Sequence, residues 1–385
     1  MLVAKVKNRL DRYAENSLLR KRFVITGREH NNLIKVNDQC CINFCNNDYL
    51  GLANHPAVKE AFIKAIQLYG IGSTSSAMVS GYFKPQQQLE EKFAEFLLRD
   101  QAIFFNSGYM ANLGVITSLA ARKDVILSDK FCHTSLLDAI QLSKAQNYRF
   151  RHNDLEHFNY LLHLKKPNIL ITEGIFSMEG DLSPLLAINH CIDGKNVLFV
   201  VDDAHGIGVL GKNGGGSCEK WGLTQLEIPC LITPLGKAFG CSGAIVSGRK
   251  DILEGVLQFS RSYRTTTALP PALCVAALKS LEIVQMQYWR RERLNELVHF
   301  FIQQAENRGL KLISEDETPI RCLLVADNEK IQWIQQKMLE KGFFISCIRP
   351  PSVPEGTARI RISLNCLHTE EQIIQLLYHL AFFLC

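Results

Sequence analysis

The chain has 385 residues, is 47% hydrophobic and 21% charged, and carries a formal net charge of +5. That length suggests two or three structural units at roughly 100–200 residues each, and the composition excludes a disordered, collagen-like or coiled-coil chain. Lys and Arg are scattered among Asp and Glu, so no nucleic-acid footprint stands out.

The first 45 residues read as an amphipathic helix followed by strand-like pieces at Leu33–Val36 and Cys41–Phe44. The opening MLVAKVKNRLDRYAEN lacks the apolar core of a secretory signal. From about residue 57, short apolar runs alternate with helical patterns. The runs are AIFF (102–105), VILS (125–128), YRFRH (148–152), NILIT (168–172), VLFVV (197–201), CLIT (230–233) and GAIVSG (243–248). Helices are expected at Met110–Ala121, Thr134–Lys144 and Leu155–Leu164. Alternating β and α units predict a mostly parallel sheet, here of seven strands, sandwiched by helices. Unbroken runs such as VLFVV fit strands buried on both faces.

Pro270-Pro271 opens a long helical pattern to about Arg308. Beyond it, strands are expected near Lys311–Ile313, Cys322–Val325 and Arg359–Leu364, with helices near Lys330–Lys341 and Thr369–Phe383. The apolar run at 373–385 is 13 residues, too short for a bilayer, and reads as a buried helix. The expected division is an N-terminal segment (1–50) packing with a small α+β C-terminal domain (291–385), and a large α/β domain between them (51–290). The thirteen cysteines contain no Cys-x-x-Cys pair, which argues against zinc or a disulfide framework and for reduced thiols in the cytoplasm.

Polar residues collect after the strands, where open α/β sheets bind ligands. AIFF is followed by NSGYMAN (106–112), where a helix start offers free N–H groups to a phosphate, although Asn-Ser-Gly alone is more often a simple cap. VILS leads to His133, NILIT to EGIFSMEGD (173–181), and VLFVV to DDAHG (202–206). An acidic pair after five buried apolar residues needs a cation facing it, either an organic cofactor or a local Arg or Lys. CLIT leads to PLGKAFG, where Lys237 lies among small and apolar residues that would lower its pKa and suit a Schiff-base amine. A phosphate site, an Asp for a pyridine nitrogen, a His to stack on a ring and such a Lys are what pyridoxal 5′-phosphate needs. A dinucleotide site is the rival, but GIGSTS (70–75) and GIGVLG (206–211) do not sit at a first βα turn.

FCNNDYLGL (44–52), GIGSTSSAMVSGY (70–82), DDAHGIGVLG, PLGKAFG, TTALPP (266–271) and RPPSVPEGTARIR (349–361) together resemble the α-oxoamine synthases. These are fold-type-I pyridoxal-phosphate enzymes that condense an amino acid with an acyl thioester and release carbon dioxide. The motifs run in order over nearly the whole chain. VSGY and RPPSVP are most similar to the branch serving biotin synthesis, which joins L-alanine to a pimeloyl thioester on coenzyme A or an acyl carrier protein. The alternative is a branch using glycine and acetyl-CoA.

The resemblance implies roles for residues at matching positions. Lys237 would hold the cofactor and move the α-proton, and Asp202 would keep the pyridine nitrogen protonated. His205 and Ser177 would hold the phenolic oxygen, while His133 would stack on the ring and polarise the thioester. Gly108, Tyr109 and Thr233 would meet the phosphate, and Thr266 or Thr267 would reach that of a partner subunit, implying a homodimer with shared sites. Asn47 and Arg361, with Arg349 nearby, would fix the amino-acid carboxylate. Arg20, in the basic cluster Arg20-Lys21-Arg22, would meet the far end of the pimeloyl chain. No metal, nucleic acid or membrane is implied. Three positions depart from the family: Pro234 stands where a phosphate-binding Thr is usual, Thr74-Ser75 replaces Gly-Gly, and Gln86 replaces a common His.

Overall fold

Uninterrupted apolar runs have no solvent face to offer, and in this chain they become strands covered on both sides. A computed structural model describes residues 2–28 and 32–384. The chain begins with a helix, Leu2–Glu15, none of whose residues is buried. Strands β1 (Ile25–Arg28), β2 (Leu33–Val36) and β3 (Gln39–Asn43) follow. Next come β4 (Gln101–Phe105), β5 (Val125–Asp129), β6 (Gln146–Phe150), β7 (Ile169–Glu173), β8 (Leu198–Asp202), β9 (Cys230–Pro234) and β10 (Ala244–Gly248). The C-terminal part adds β11 (Ile320–Ala326), β12 (Phe343–Phe344), β13 (Ser346–Ile348) and β14 (Ala358–Ser363).

The chain folds into two units. The larger comprises Leu50–Phe176 and Leu182–Arg291. Its seven-stranded sheet has the order β4-β10-β9-β8-β7-β5-β6. Only β10 runs against the rest, pairing antiparallel with β4 and β9, so the sheet is mostly parallel as expected. Ile103, Ile171, Val200, Ile232 and Val246 from the strands pack with Val115, Ile116, Leu136, Ile140 and Leu253 from the helices. Each such side chain contributes roughly 1.5–3 kcal/mol by leaving water. This core holds the carboxyl ends of β5, β7, β8 and β9 in register.

The smaller unit comprises the N-terminal stretch through Tyr49, Ser177–Asp181 and Glu292–Cys385. It has one sheet of order β1-β2-β3-β12 and another of order β11-β14-β13. Ile34, Val36, Cys41 and Leu339 form a small core beneath the first sheet.

Several elements differ from the sequence expectation. The long helical pattern after Pro270 breaks into Pro271–Met286 and Trp289–Glu306. Gln287 leaves helical geometry (φ −104°, ψ 60°), and Arg290 ties the corner by donating to Gln287 Oε1 at 2.8 Å and the Leu50 carbonyl at 2.8 Å. Lys311–Ile313 makes a single bridge, Leu312 to Leu323, rather than a strand. Strands β1, β12 and β13 are too short to show periodicity and were not expected.

The placement of Ser177–Asp181 with the smaller unit has no signature in local sequence. Thr318 Oγ1 donates to the Gly180 carbonyl at 2.6 Å, Arg321 reaches the same carbonyl at 3.4 Å, and Arg359 pairs with Glu179 at 2.9 Å. Gly180 is at φ +78°, and a Cβ there would lie 2.2 Å from the Ile320 carbonyl oxygen, so only glycine passes.

Candidate active site

In the larger unit, the apolar run of β8 ends on an acidic pair whose members face different surroundings. Asp203 is wholly buried and accepts the Ser217 amide at 2.7 Å and the Ser217 hydroxyl at 2.5 Å. Burial outweighs these bonds and pushes its carboxyl up to about 7. Asp202 is 4% exposed, with Asn112 Nδ2 at 2.7 Å from one oxygen and the Ala204 amide at 3.1 Å from the other. Asp203 is therefore held in the scaffold by Ser217, while Asp202, the last residue of β8, is held by Asn112 and Ala204.

His205 is buried, and its Nε2 lies 2.9 Å from Lys237 Nζ. Lys237 itself is half-buried, in the turn after β9. His133 stands after β5 as the cap of the helix Thr134–Ser143, its Nδ1 accepting from the Ser135 amide. Loss of solvation lowers its pKa; Asp202 raises it, Lys237 lowers it and Asp138 raises it. His133, Asp202 and Lys237 thus share one electrostatic field.

The helix Gly108–Leu119 starts beside β9. Ser107 caps it, its Oγ accepting the Met110 amide at 3.2 Å and its carbonyl the Ala111 amide at 2.9 Å. The amides of Gly108 and Tyr109 precede these at the positive end of the helix, as an anion site requires. Tyr109 points its hydroxyl to Asp138. Thr233 is wholly buried and donates to the Ile245 carbonyl at 3.2 Å, along the sheet. Pro234, one residue on, takes the other face and sits against Gly108. The structure therefore does not bring the Thr233 hydroxyl to the helix start. Thr267 is exposed and Thr266 half-buried, and the Thr267 carbonyl accepts from Asn106 Nδ2 at 2.8 Å.

In the smaller unit, Arg361 is 5% exposed and makes a three-way junction. It donates to the Ser177 carbonyl at 2.6 Å, Ser363 Oγ at 3.0 Å and Asn47 Oδ1 at 3.1 Å. Tyr49 adds its hydroxyl to Asn47 Oδ1 at 3.2 Å. Asn47, Ser177 and Arg361 are thereby brought together. Arg349 is turned elsewhere, to the carbonyls of Ser17 and Leu19. Arg20 reaches Ser352 Oγ at 3.1 Å and the Arg349 carbonyl at 3.5 Å. These two arginines fasten the N-terminal segment to the loop before β14.

Sequence reasoning did not assign Asn112, Ser135, Glu173 or Tyr49. Asn112 and Glu173 lie inside motifs already singled out, and the helical spacing from Gly108 to Asn112 was the available signal for the first. Glu173 is buried at the end of β7 and accepts the His133 amide at 2.5 Å. Burial and then Asp202 raise its pKa, against Lys237.

Pyridoxal phosphate fits this set of groups. Lys237 supplies an amine, Asp202 an anion for a ring nitrogen, His205 a donor beside the amine, and the helix start an anion site. Asn112 Oδ1 is buried without a partner, so the wall behind Asp202 is built to present N–H to that carboxylate rather than to satisfy itself. Among the described residues, no cluster of three or more His, Cys, Asp or Glu is placed to hold a metal ion, and no helix is long and apolar enough to cross a membrane.

Comparison with known proteins agrees with the geometry. The family described as aminotransferase class I and II matches residues 39–380. An 8-amino-7-oxononanoate synthase of Pseudomonas fluorescens is 45% identical over 349 residues, covering 90% of this chain and 89% of its own. The structure of a serine palmitoyltransferase from S. paucimobilis with a bound PLP–myriocin aldimine superposes with a TM-score of 0.94 at 27% identity, covering 100% of this chain and 98% of that one. The 8-amino-7-oxononanoate synthase of Francisella tularensis superposes at 0.81 with 34% identity, covering 89% and 97%.

Fold and site define a fold-type-I pyridoxal-phosphate-dependent transferase. The chain belongs to the aminotransferase class I and II family and, within its α-oxoamine synthases, to the 8-amino-7-oxononanoate synthases.

Proposed function

We propose that this protein joins L-alanine to a pimeloyl thioester, carried on coenzyme A or an acyl carrier protein, to give 8-amino-7-oxononanoate, carbon dioxide and the free thiol. The observation that carries this is the meeting of two segments of the larger unit, Asp202 and His205 at the end of β8 and Lys237 after β9, with Lys237 Nζ 2.9 Å from His205 Nε2. Pyridoxal phosphate, when bound, supplies an electron sink for the α-carbon of the amino acid and again for loss of carbon dioxide.

Lys237 would anchor the cofactor, and its amine is the base that would take the α-proton of the amino acid and later return one. Asp202, which accepts N–H from Asn112 and Ala204, would keep a proton on the ring nitrogen. His205, whose Nε2 lies 2.9 Å from Lys237 Nζ, would hold the cofactor's phenolic oxygen and keep the Lys237 amine in line. Gly108 and Tyr109 offer backbone N–H to the phosphate. Arg361, aligned by Asn47 and Ser363, receives the amino-acid carboxylate through a planar fork. The pimeloyl carbonyl carbon forms the new bond, the carrier thiol leaves with its electron pair, and the carboxylate then departs as carbon dioxide.

The enzyme works as a homodimer in the cytoplasm, with Thr266 or Thr267 completing the partner's phosphate site and Arg20 facing the distal carboxylate of the pimeloyl chain. The test is a substrate panel of alanine and glycine against pimeloyl and acetyl thioesters. Turnover with alanine and a pimeloyl thioester is expected. Turnover confined to glycine and acetyl-CoA would overturn the proposal. Lys237→Ala is expected to lose both turnover and the visible absorbance of the bound cofactor.

A further inference from the structure

The hydrogen bonds around His133 have a direction. Asp202 is a carboxylate and only accepts, so Asn112 must turn its amide nitrogen toward it, at 2.7 Å. The same nitrogen reaches Ser135 Oγ at 2.8 Å. Ser135 Oγ therefore accepts from Asn112, and its single proton is free for His133 Nδ1, 2.7 Å away. The Ser135 backbone N–H points to that same ring nitrogen at 3.3 Å, as the cap of the helix. Two donors converging on Nδ1 leave no place there for a proton. Asn112 and Ser135 are 1% and 0% exposed, so water does not compete for these bonds.

We propose that Asn112 and Ser135 are positioning residues that hold His133 as its Nε2–H tautomer and tie its ring to Asp202. The free ring N–H of His133 then lies on the edge away from the helix cap. There it donates a hydrogen bond to the thioester oxygen as that oxygen gains charge, with no proton transferred. Glu173 completes the arrangement by accepting the His133 backbone N–H, which fixes the ring's point of attachment. This purpose rests on the proposed reaction; the tautomer itself does not.

The test is nitrogen NMR of the ¹⁵N-histidine-labelled holoenzyme, with His133→Gln identifying the His133 signals. The expected wild-type pattern is an unprotonated Nδ1 and a protonated Nε2. Ser135→Ala removes the hydroxyl at 2.7 Å and leaves only the longer backbone contact at 3.3 Å, so a second tautomer is expected beside the first, with kcat lower by about tenfold, the alanine KM unchanged, and both effects reversed in Ser135→Thr. If Ser135→Ala does not fold, Asn112→Ala frees the same hydroxyl to accept as well as donate, and a second tautomer is expected there too. A protonated Nδ1 in the wild type overturns the inference, as does an unchanged tautomer and kcat in the variant. An Nε2–H His133 in an enzyme inactive on pimeloyl thioesters would refute the proposed reaction and leave this inference standing.

Discussion

A Cβ placed on Gly108 would lie 2.6 Å from Cγ of Pro234. The proline at the end of β9 thus fills the space over the helix start where the family usually carries a threonine hydroxyl. Thr233 cannot take over that role from the opposite face of the strand, where it is bonded to Ile245.

Pro234→Thr is therefore expected to tighten cofactor binding. A hydrogen bond to a charged group contributes roughly 1.5–3 kcal/mol, equivalent to about 10- to 100-fold in Kd. Titration of the apoenzyme with pyridoxal phosphate, followed by absorbance, checks this; an unchanged or weaker Kd would show that other donors already complete the phosphate site. Gly108→Ala should act in the opposite direction, because the added methyl meets the Pro234 ring.

Arg361 is expected to govern affinity for the amino acid. Its fork cannot be reproduced by an ammonium group, so Arg361→Lys should raise the alanine KM by about 10- to 100-fold, the effect of about 1.4–3 kcal/mol. Asn47→Ala, which removes only the aligning acceptor, should raise it less. Steady-state kinetics with varied alanine decide the matter, and a change confined to the acyl-thioester KM would contradict the assignment.

Glu90 is a source of pH-dependent stability. It accepts the Tyr82 hydroxyl at 2.6 Å, Gln86 Nε2 at 3.1 Å and the Phe104 amide at 2.8 Å. Burial nevertheless raises its carboxyl from 4.5 to about 7. The folded state thus holds the proton more tightly than the unfolded chain. Its contribution is fully present below the unfolded value and is lost as pH rises through 7, up to about 3 kcal/mol. Glu90→Gln should raise Tm relative to the parent more at about pH 8.5 than at about pH 6. Equal shifts at both pH values would rule this out.

Thiol reagents should act selectively. Among the described cysteines Cys40 is the exposed one. Cys45 is pushed up to about 12 by burial, and Cys132 is raised well above its ordinary value, also chiefly by burial. Limited alkylation should therefore label Cys40 first and leave turnover intact. Peptide mapping by mass spectrometry alongside activity tests this, and inactivation in step with Cys40 labelling would refute it.

The elements whose chemistry is local could be read from the chain. Apolar runs such as VLFVV fit strands buried on both faces, the polar residues after them mark strand ends, and the resemblance to the family gave Lys237, Asp202, His205 and His133 their roles. The six ordered motifs carried the family with them. Four matters depended on the tertiary structure, because each turns on which atoms meet across distant segments. One is what holds each member of the acidic pair, Ser217 on Asp203 and Asn112 on Asp202. Another is the strand pleat that turns Thr233 to one face and Pro234 to the other, since a one-residue step reverses a side chain's direction. A third is the assignment of Ser177–Asp181 to the smaller unit, held by Thr318, Arg321 and Arg359. The last is the use of Arg349 as a brace for the N-terminal segment, since a guanidinium goes to whichever acceptors the fold sets within reach. Residue types and spacing determined the chemistry this chain carries; the fold decided which neighbours each of those residues meets, because the contacts join segments far apart in the chain.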